Sequence, residues 1–327
     1  MTHWHQAYDF CYLQFYYYCR CTQISTWLPP AEGFAPLTYS DMCLRFSTTC
    51  AAMDSCHMHN RVRFSSSCGK YWVQRRRILS LYDFGVNLDP EAWFSVTPEI
   101  IANHQASRCL HSLHRQSSHR LSPASDGSGM ADSQSRSKSS TEFVVLDLFC
   151  GAGGNTIAFA RCAGARVLAC DINETRLDMA DKVSLIYGVQ HSINFVCNDA
   201  NAFLNCLRLF SREGAGCYDD VENVEKVDMI FLSPPWGGPG YSIVDSFDIR
   251  NIHASGIDVI ALIKLSFCLT TNIALYLPKN TDLLPFYCSR ALFVNQAPCS
   301  FEVEKNYLNG KLKAITLYFG ELNMLTS

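Results

Sequence analysis

A glycine loop between an apolar segment and a helical segment constrains the fold of this chain most strongly. Residues 143–160 read as a short buried strand, a loop of sequence Cys-Gly-Ala-Gly-Gly, and the first turns of a helix. Because glycines lack a Cβ atom, Gly151 and Gly153 let the loop pass close to a ligand. Strand, loop and helix together predict the first unit of an open α/β sheet.

Two further apolar segments end in acidic residues. Residues 166–171 predict a second strand that ends at Asp171, and residues 193–199 predict a third strand that ends at Asp199. Asp171 follows the glycine loop by roughly twenty residues, the spacing of a carboxylate that binds both ribose hydroxyls. Asp199 is placed to meet an adenine amino group. The loop lacks the third glycine of the dinucleotide pattern and has no phosphate-binding lysine, so the set favours S-adenosylmethionine.

A fourth apolar segment, residues 227–232, stops at the rigid sequence Ser233-Pro-Pro-Trp236. Two prolines fix an extended backbone and remove two N–H donors. A polar residue, two prolines and an aromatic residue after a strand suit methylation of an exocyclic amine on a planar ring. In that interpretation Trp236 stacks the ring, and Ser233 with the carbonyl groups holds the amine. The alternative is a tight surface turn with an incidental Trp.

The region before the glycine loop predicts a small helical extension. Residues 70–82 fit one amphipathic helix, with Trp72, Ile78 and Leu79 towards a core and the arginines outward. Basic residues among Tyr and Trp suit an RNA backbone, and a solvated helix face is the alternative. Thr97 is a good N-cap and Pro98 suits a first helical position, so a second helix is expected to start there.

Composition limits the remaining possibilities. The net charge of −3 over 327 residues excludes a general attraction to nucleic acid, so RNA binding requires a local patch. The 17 cysteines form no regular framework, as in a reduced intracellular protein. We expect no secretory signal, no membrane span and no bound metal. The Cys and His residues that could bind a metal lack the Cys-x-x-Cys pair of typical zinc sites. These candidate metal ligands are Cys19, Cys21, Cys50, Cys56, His57 and His59.

The sequence divides into four parts. Residues 1–69 have no readable pattern and stay unassigned, with poor order as one interpretation. Residues 70–104 form the helical extension, and residues 105–141 predict a flexible Ser-rich insertion. Residues 142–322 form the core, which adds a fifth strand at 272–280. The last two strands of the core are expected to form an antiparallel pair joined by a turn at Asn309-Gly310, which is a strong hairpin signal.

From residue 69 to about 322 the chain resembles the trimethylguanosine synthase family, which hypermethylates RNA caps. The most specific matches are Trp-Phe-Ser-Val-Thr-Pro-Glu at 93–99 and Ser-Pro-Pro-Trp-Gly-Gly-Pro at 233–239. Further matches lie at residues 70–75, 85–89, 149–157, 247–250, 309–313 and 318–320. The resemblance implies a Rossmann-like class I S-adenosylmethionine-dependent methyltransferase, with a mostly parallel seven-stranded α/β sheet.

The resemblance also implies roles for individual residues. Trp236 would stack on 7-methylguanine, Ser233 would lie near its N2 amine, and Lys70 and Tyr241 would reach the cap phosphates. The full catalytic set is Ser233, Pro234 and Trp236. The cofactor set is Phe94, Ser95, Thr97, Asp147, Gly151, Gly153, Asn155, Asp171 and Asp199. The substrate set is Trp236, Lys70, Tyr241, Lys279 and Asn280.

Two positions depart from the family pattern. Lys279 stands where the family commonly has Arg, and a point charge binds phosphate less well than a bidentate fork. The family is expected to have an aromatic residue near the position of Leu79. Its absence here is predicted to soften one wall of the cofactor pocket.

The expected activity is therefore methyl transfer from S-adenosylmethionine to N2 of the 7-methylguanosine cap of small nuclear and nucleolar RNAs. We expect a monomer in the nucleus, in a nucleolar or Cajal body-like compartment, with some in the cytoplasm. Assembly proteins of small ribonucleoproteins are candidate partners. Two alternatives stay open: another amino-methyltransferase acting on nucleic acid or a protein amide, and a non-catalytic cap-binding protein with a decayed cofactor site.

Overall fold

The computed structural model describes the chain in separate stretches and divides it into two units, residues 1–63 and 64–327. The described residues are 4–9, 14–19, 25–26, 71, 73–120, 142–162, 164–212, 226–238, 245–249, 257–288, 293–294, 297–298 and 300–324. The candidate site residues Lys70 and Tyr241 lie outside these stretches.

The first unit contains an antiparallel sheet in the order β1-β2-β3. Its strands are β1 (Trp4–Asp9), β2 (Gln14–Cys19) and β3 (Ser25–Thr26). This sheet lies within residues 1–69, for which the sequence predicts no structure. The side chains of the six candidate metal ligands lie outside the described part of the chain.

The second unit is built on a seven-stranded sheet in the order β11-β12-β8-β7-β4-β5-β6. Its strands are β4 (Phe143–Leu148), β5 (Ala165–Asp171), β6 (Ile193–Cys197), β7 (Met229–Leu232), β8 (Ile273–Pro278), β11 (Phe301–Leu308) and β12 (Lys311–Phe319). Two short strands, β9 (Phe293–Val294) and β10 (Ala297–Pro298), pair separately. Strands β8, β7, β4, β5 and β6 are parallel, whereas β12 and β11 are antiparallel to their neighbours. The predicted mostly parallel sheet is confirmed.

Both faces of the central strands are covered, which explains their uninterrupted apolar sequences. Every residue of β4, β7 and β8 is buried. Successive residues of β4 belong to different apolar clusters, with Val145 in one and Leu146 in the other. Because side chains of a strand alternate between faces, the two clusters lie on opposite sides of the sheet.

Eight α-helices are described in the second unit. They are α1 (Arg75–Ile78), α2 (Ala92–Ser95), α3 (Glu99–Arg120), α4 (Gly154–Ala160), α5 (Glu174–Ile186), α6 (Ala200–Arg212), α7 (Val259–Ser266) and α8 (Leu284–Cys288). Helices α3, α4 and α5 bury residues in one apolar cluster, and α6 and α7 bury residues in the other. Among the described helices, none has both the length and the apolar character required to cross a bilayer.

The prediction of a flexible insertion from residue 105 was wrong for its first part. Helix α3 begins at Glu99, directly after Pro98, and continues to Arg120. Its buried residues include Ala106, Cys109 and Leu113. This helical spacing forms an apolar stripe among the Ser, His and Arg residues, and the stripe packs the helix against the sheet. Residues 121–141 lie outside the described part.

The single helix predicted for residues 70–82 was also wrong in extent. Helix α1 ends at Ile78 because Leu79 adopts an extended conformation. Beyond it, the Ser80 N–H donates to Glu99 Oε2 at 2.6 Å, and the Leu81 N–H donates to the Tyr187 hydroxyl at 3.3 Å. These tertiary hydrogen bonds take backbone donors that a longer helix would use.

The predicted closing hairpin is present. Asn309 and Gly310 join β11 to β12 with φ values of 53° and 70°. Two consecutive positive φ values are typical of the type I′ turn, which matches the twist of the two strands.

Candidate active site

A cleft of about 570 Å³ opens at the carboxyl ends of the parallel strands, which is a typical size for a ligand site. The segment before α3 and the start of β12 complete its walls. Eleven of the predicted site residues line it: Phe94, Ser95, Thr97, Gly151, Asn155, Asp171, Asp199, Ser233, Pro234, Trp236 and Lys279. The structure therefore brings together residues that lie more than 180 positions apart in the sequence.

Asp147, assigned to the cofactor from the sequence, does not line the cleft. Its side chain has no exposed surface, and Oδ2 accepts a hydrogen bond from the Thr156 hydroxyl at 2.5 Å. Burial raises the pKa of Asp147 to about 7; the hydrogen bond from Thr156 opposes this change, and the charge of Asp171 adds to it. Asp147 therefore braces the first turn of α4 from behind the loop.

Gly153 and Asn280 also lie outside the lining of the cleft. Gly153 is the N-cap of α4 with φ of 86°, and a Cβ atom there would lie 3.0 Å from the Cβ atom of Ala180. Its contribution is the shape of the loop and its close packing, which no other residue type could supply without strain.

Asp171 is held in a fixed orientation at the end of β5. Its Oδ2 accepts from the Gly151 N–H at 2.8 Å, and its Oδ1 accepts from the Asn173 N–H at 2.9 Å. Each carboxylate oxygen retains a second lone pair for a ligand. The acid and the glycine loop are thus one unit, and neither oxygen must reorient to accept a hydroxyl donor.

Asp199 follows β6 and caps a helix in addition to its candidate role in binding the cofactor. Its Oδ1 accepts from the Ala202 N–H at 3.0 Å and so caps the first turn of α6. The side chain is exposed and lines the cleft. Capping uses one carboxylate oxygen and leaves the other able to accept from an amino group.

Phe149 was missed by the sequence analysis. It lines the cleft and has φ of 66°, a conformation that is unusual for a bulky residue. Its carbonyl oxygen accepts a hydrogen bond from the Ser233 hydroxyl at 3.2 Å. A carbonyl can only accept, so this bond uses the one proton of the hydroxyl. Ser233 Oγ can therefore offer only lone pairs to a ligand.

Trp236 is partly buried against both apolar clusters and lines the cleft with Tyr276. The centroids of these two rings are 5.2 Å apart, with 49° between the ring planes. Gly238, with φ of 74°, follows closely, and a Cβ atom there would lie 3.6 Å from the Phe94 ring. The indole is consequently fixed by packing on a wall that it shares with residues of the extension.

Three lysines line the cleft, namely Lys279 after β8 and Lys311 and Lys313 at the start of β12. All three are exposed. Lys279 is a predicted site residue, whereas Lys311 and Lys313 are not among the residues predicted from the sequence. Their signal was available, because residues two apart on a strand lie on the same face, directly after the predicted Asn309-Gly310 turn.

The extension contributes one wall of the cleft, and polar contacts of Glu91 and Glu99 tie it to the core. Glu91 pairs with Arg176 of α5, and both residues line the cleft. Glu99 accepts hydrogen bonds from the Tyr187 hydroxyl at 2.7 Å and from Arg161 at 2.9 Å, in addition to the Ser80 N–H. No local sequence pattern could have indicated these pairings.

Leu79 does not occupy the place expected for it. Its side chain is only 2% exposed, belongs to the apolar core and does not line the cleft. The prediction that it softens a wall of the cofactor pocket was therefore wrong.

A doubly covered, mostly parallel sheet of this order, with a glycine loop and an acid at its carboxyl edge, defines a Rossmann-like class I methyltransferase. A family model described as RNA cap guanine-N2 methyltransferase matches residues 142–322. The chain belongs to this family, and it is a cap guanine-N2 methyltransferase. The resemblance seen in the sequence is confirmed.

Individual relatives agree with this assignment. The trimethylguanosine synthase of Schizosaccharomyces pombe is 27% identical over 251 residues, which cover 76% of this chain and 84% of the relative. The trimethylguanosine synthase of Saccharomyces cerevisiae is 28% identical over 265 residues, which cover 77% of this chain and 67% of the relative. Among solved structures, human methyltransferase 10 domain containing protein is similar with a TM-score of 0.51 and 15% identity, over 79% of this chain and 99% of that one. The structural similarity shows the fold alone.

Proposed function

We propose that this chain transfers methyl groups from S-adenosylmethionine to N2 of the 7-methylguanosine cap, giving 2,2,7-trimethylguanosine after two rounds. The observation that carries the proposal is the shared cleft of Trp236, Ser233 and the Asp171-bound Gly151 loop. A stacking ring and an acceptor for an amine thus lie in the same cavity as a candidate cofactor site. The catalytic part of the chain in this proposal is residues 142–322, and the extension completes its site.

The residues present fit S-adenosylmethionine. The Asp171 carboxylate suits the two ribose hydroxyls, and Asp199 suits the adenine amino group. Phe94 and Phe149 offer apolar walls, and a Cβ atom added to Gly151 would meet nothing within 4 Å. When bound, this cofactor supplies an activated methyl group on a cationic sulfonium.

Trp236 and Ser233 suit a methylated guanine. A 7-methylguanine ring is positively charged, and a desolvated cation on a Trp face gains about 2 kcal/mol or more. Unmethylated guanine lacks this charge, so the stacking site favours caps that already carry the 7-methyl group. Ser233 Oγ, restricted to accepting, suits an N–H of the N2 amine. Accurate placement of the reacting groups alone can lower the activation free energy by roughly 7–11 kcal/mol.

The exposed lysines suit the phosphates of the cap. Lys279, Lys311 and Lys313 place three positive charges on the cleft, whereas the chain as a whole has a net charge of −3. A local basic edge is what binding of a cap triphosphate requires from such a protein. We assign Lys70 and Tyr241 to the same phosphates on the resemblance alone.

Both relatives are named trimethylguanosine synthase, which supports the proposed product. On the resemblance to that family we propose small nuclear and nucleolar RNAs as substrates and the nucleus as the main location, with some protein in the cytoplasm. We further propose that the protein acts as a monomer and that assembly proteins of small ribonucleoproteins recruit it.

One assay tests the proposal directly. The protein is incubated with labelled S-adenosylmethionine and an RNA bearing either a 7-methylguanosine or a plain guanosine cap, and the nucleosides are identified after digestion. Label in 2,2,7-trimethylguanosine from the first RNA only is the expected result. Label in adenosine would favour another amino-methyltransferase. If neither RNA is labelled, binding measurements decide, because binding of the cap without binding of S-adenosylhomocysteine would favour a non-catalytic cap-binding protein.

A further inference from the structure

A chain of buried polar side chains connects the cleft to the closing hairpin through Gln105 of α3. Gln105 has no exposed surface, and its Oε1 accepts from Asn155 Nδ2 at 2.7 Å. Its Nε2 donates to Thr316 Oγ1, on β12, at 2.9 Å. Both ends of this one amide are therefore used, each by a different element of the core.

The far end of this chain is closed by Asn306 of β11. Its Nδ2 donates to Thr316 Oγ1 at 2.8 Å and lies 3.4 Å from the Glu304 carbonyl oxygen. Gln105, Asn155, Thr316 and Asn306 are each at most 5% exposed. Buried polar groups without partners are costly, so these hydrogen bonds stabilise the amides in the orientation that the structure shows.

This arrangement decides which atom Asn155 presents to the cleft. Asn155 lines the cleft, and its amide nitrogen is turned towards Gln105, to which one of its two N–H groups donates. Among the described residues, none donates a hydrogen bond to Asn155 Oδ1. The amide thus presents an acceptor, whereas the reversed amide would present a donor.

We propose that Gln105 is a positioning residue for the cofactor: it fixes the Asn155 amide so that Oδ1 accepts from the α-ammonium of the amino-acid tail. The inference rests on the proposed cofactor, S-adenosylmethionine. That tail carries an ammonium, which can only donate, and a carboxylate, which can only accept. An amide oxygen can pair with the first of these and not with the second. The role passes through Asn155, because Gln105 itself does not line the cleft.

Calorimetry with three ligands tests this inference. The ligands are S-adenosylhomocysteine, its analogue without the α-amino group, and 5′-methylthioadenosine, which lacks the whole tail. The wild-type protein is expected to prefer S-adenosylhomocysteine over the deaminated analogue by about tenfold or more, as one charge-assisted hydrogen bond allows. In Gln105→Leu this preference is expected to fall towards one, while the affinity for 5′-methylthioadenosine changes less than about twofold.

The matched control is Ser112→Ala, another buried position of α3 that lies outside this chain of amides. It is expected to keep the wild-type preference. If Gln105→Leu keeps the preference, or loses affinity for all three ligands equally, the inference is overturned.

If Gln105→Leu binds none of the ligands, Gln105→Glu decides, because its carboxylate still accepts from Asn155 and is expected to keep the preference. Loss of the preference in Gln105→Glu would then refute the positioning role. Failure of the wild-type protein to bind either S-adenosylhomocysteine or 5′-methylthioadenosine would instead refute the proposed cofactor.

Discussion

The hydroxyl of Ser233 donates to the carbonyl oxygen of Phe149 at 3.2 Å, and Phe149 itself has a positive φ. A residue of the turn that follows β4 thereby determines that the Ser233 hydroxyl of the Ser-Pro-Pro-Trp turn can only accept from a ligand. We expect Ser233→Ala to lower kcat for N2 methylation by about three- to tenfold, the effect of one neutral hydrogen bond. Ser233→Thr keeps the hydroxyl and should retain most of the rate.

Steady-state kinetics on capped RNA measures this effect, and calorimetry with S-adenosylhomocysteine checks the cofactor site. The affinity for S-adenosylhomocysteine should be unchanged in both variants. A wild-type kcat in Ser233→Ala would refute the role of Ser233 at the amine.

Replacement of Trp236 should separate substrate binding from cofactor binding. Trp236→Ala removes the proposed stacking face, so we expect turnover of capped RNA to fall by about 30-fold or more, in line with a contact of about 2 kcal/mol. Trp236→Phe keeps a weaker aromatic face and should lose less. Binding of S-adenosylhomocysteine should survive in both variants. Cap methylation near the wild-type rate in Trp236→Ala would contradict the stacking role.

Asp171 should govern cofactor affinity. Asp171→Ala removes the acceptor proposed for the ribose hydroxyls and also releases the N–H groups of Gly151 and Asn173. We expect the affinity for S-adenosylhomocysteine to fall by about tenfold or more, as the loss of hydrogen bonds to a charged group implies. Calorimetry measures this affinity, and Asp178→Ala, at an exposed position of α5, is the control. An unchanged affinity in Asp171→Ala would refute the ribose assignment.

The lysines of the hairpin should act through charge. Lys311→Ala and Lys313→Ala should each raise KM for capped RNA, and the increase should shrink at high salt because screening weakens phosphate contacts. KM for the phosphate-free nucleoside 7-methylguanosine should not change. Lys305→Ala is the matched control, since Lys305 is exposed on the same hairpin but does not line the cleft. An equal effect of Lys305→Ala would argue against a specific phosphate contact.

Asp147 should make the stability of the fold depend on pH. Its carboxyl has the ordinary pKa of 3.8 in the unfolded chain, and burial raises this pKa to about 7 in the fold. Between these values the native state holds a proton that the unfolded state has released, so stability falls as pH rises from about 4 to about 7. Each unit of difference corresponds to about 1.4 kcal/mol.

Urea unfolding at pH 5 and pH 8 measures this dependence. Asp147→Asn cannot ionise and still offers an oxygen to Thr156, so the decrease between the two pH values should be smaller in this variant. An equal decrease in wild type and Asp147→Asn would show that other groups cause it.

The sequence revealed the parts of the site that follow apolar strands directly. Asp171, Asp199 and Ser233 each stand at the end of such a segment, and the carboxyl ends of parallel strands share one edge. Asp147 shows the limit of this reasoning. It lies within a strand whose two faces are both covered, so its side chain is enclosed behind the loop.

Features that depend on long-range packing could not be read in this way. The pairing of Glu91 with Arg176 joins segments with no shared local pattern, and the positive φ of Phe149 has no signature in a bulky residue. The length of α3 was not evident from the sequence, because polar residues outnumber the residues of its apolar stripe. Gln105 in particular reads as one more polar residue of a predicted loop.

The cleft draws one wall from Phe94 to Thr97, ahead of α3, and another from Lys311 to Lys313, near the far end of the described chain. A recombinant fragment trimmed to residues 142–322 would therefore keep Trp236 and Asp171 yet lack the first wall. Expression boundaries for an active fragment have to be drawn outside both flanks, whatever portion of the chain a sequence profile recognises.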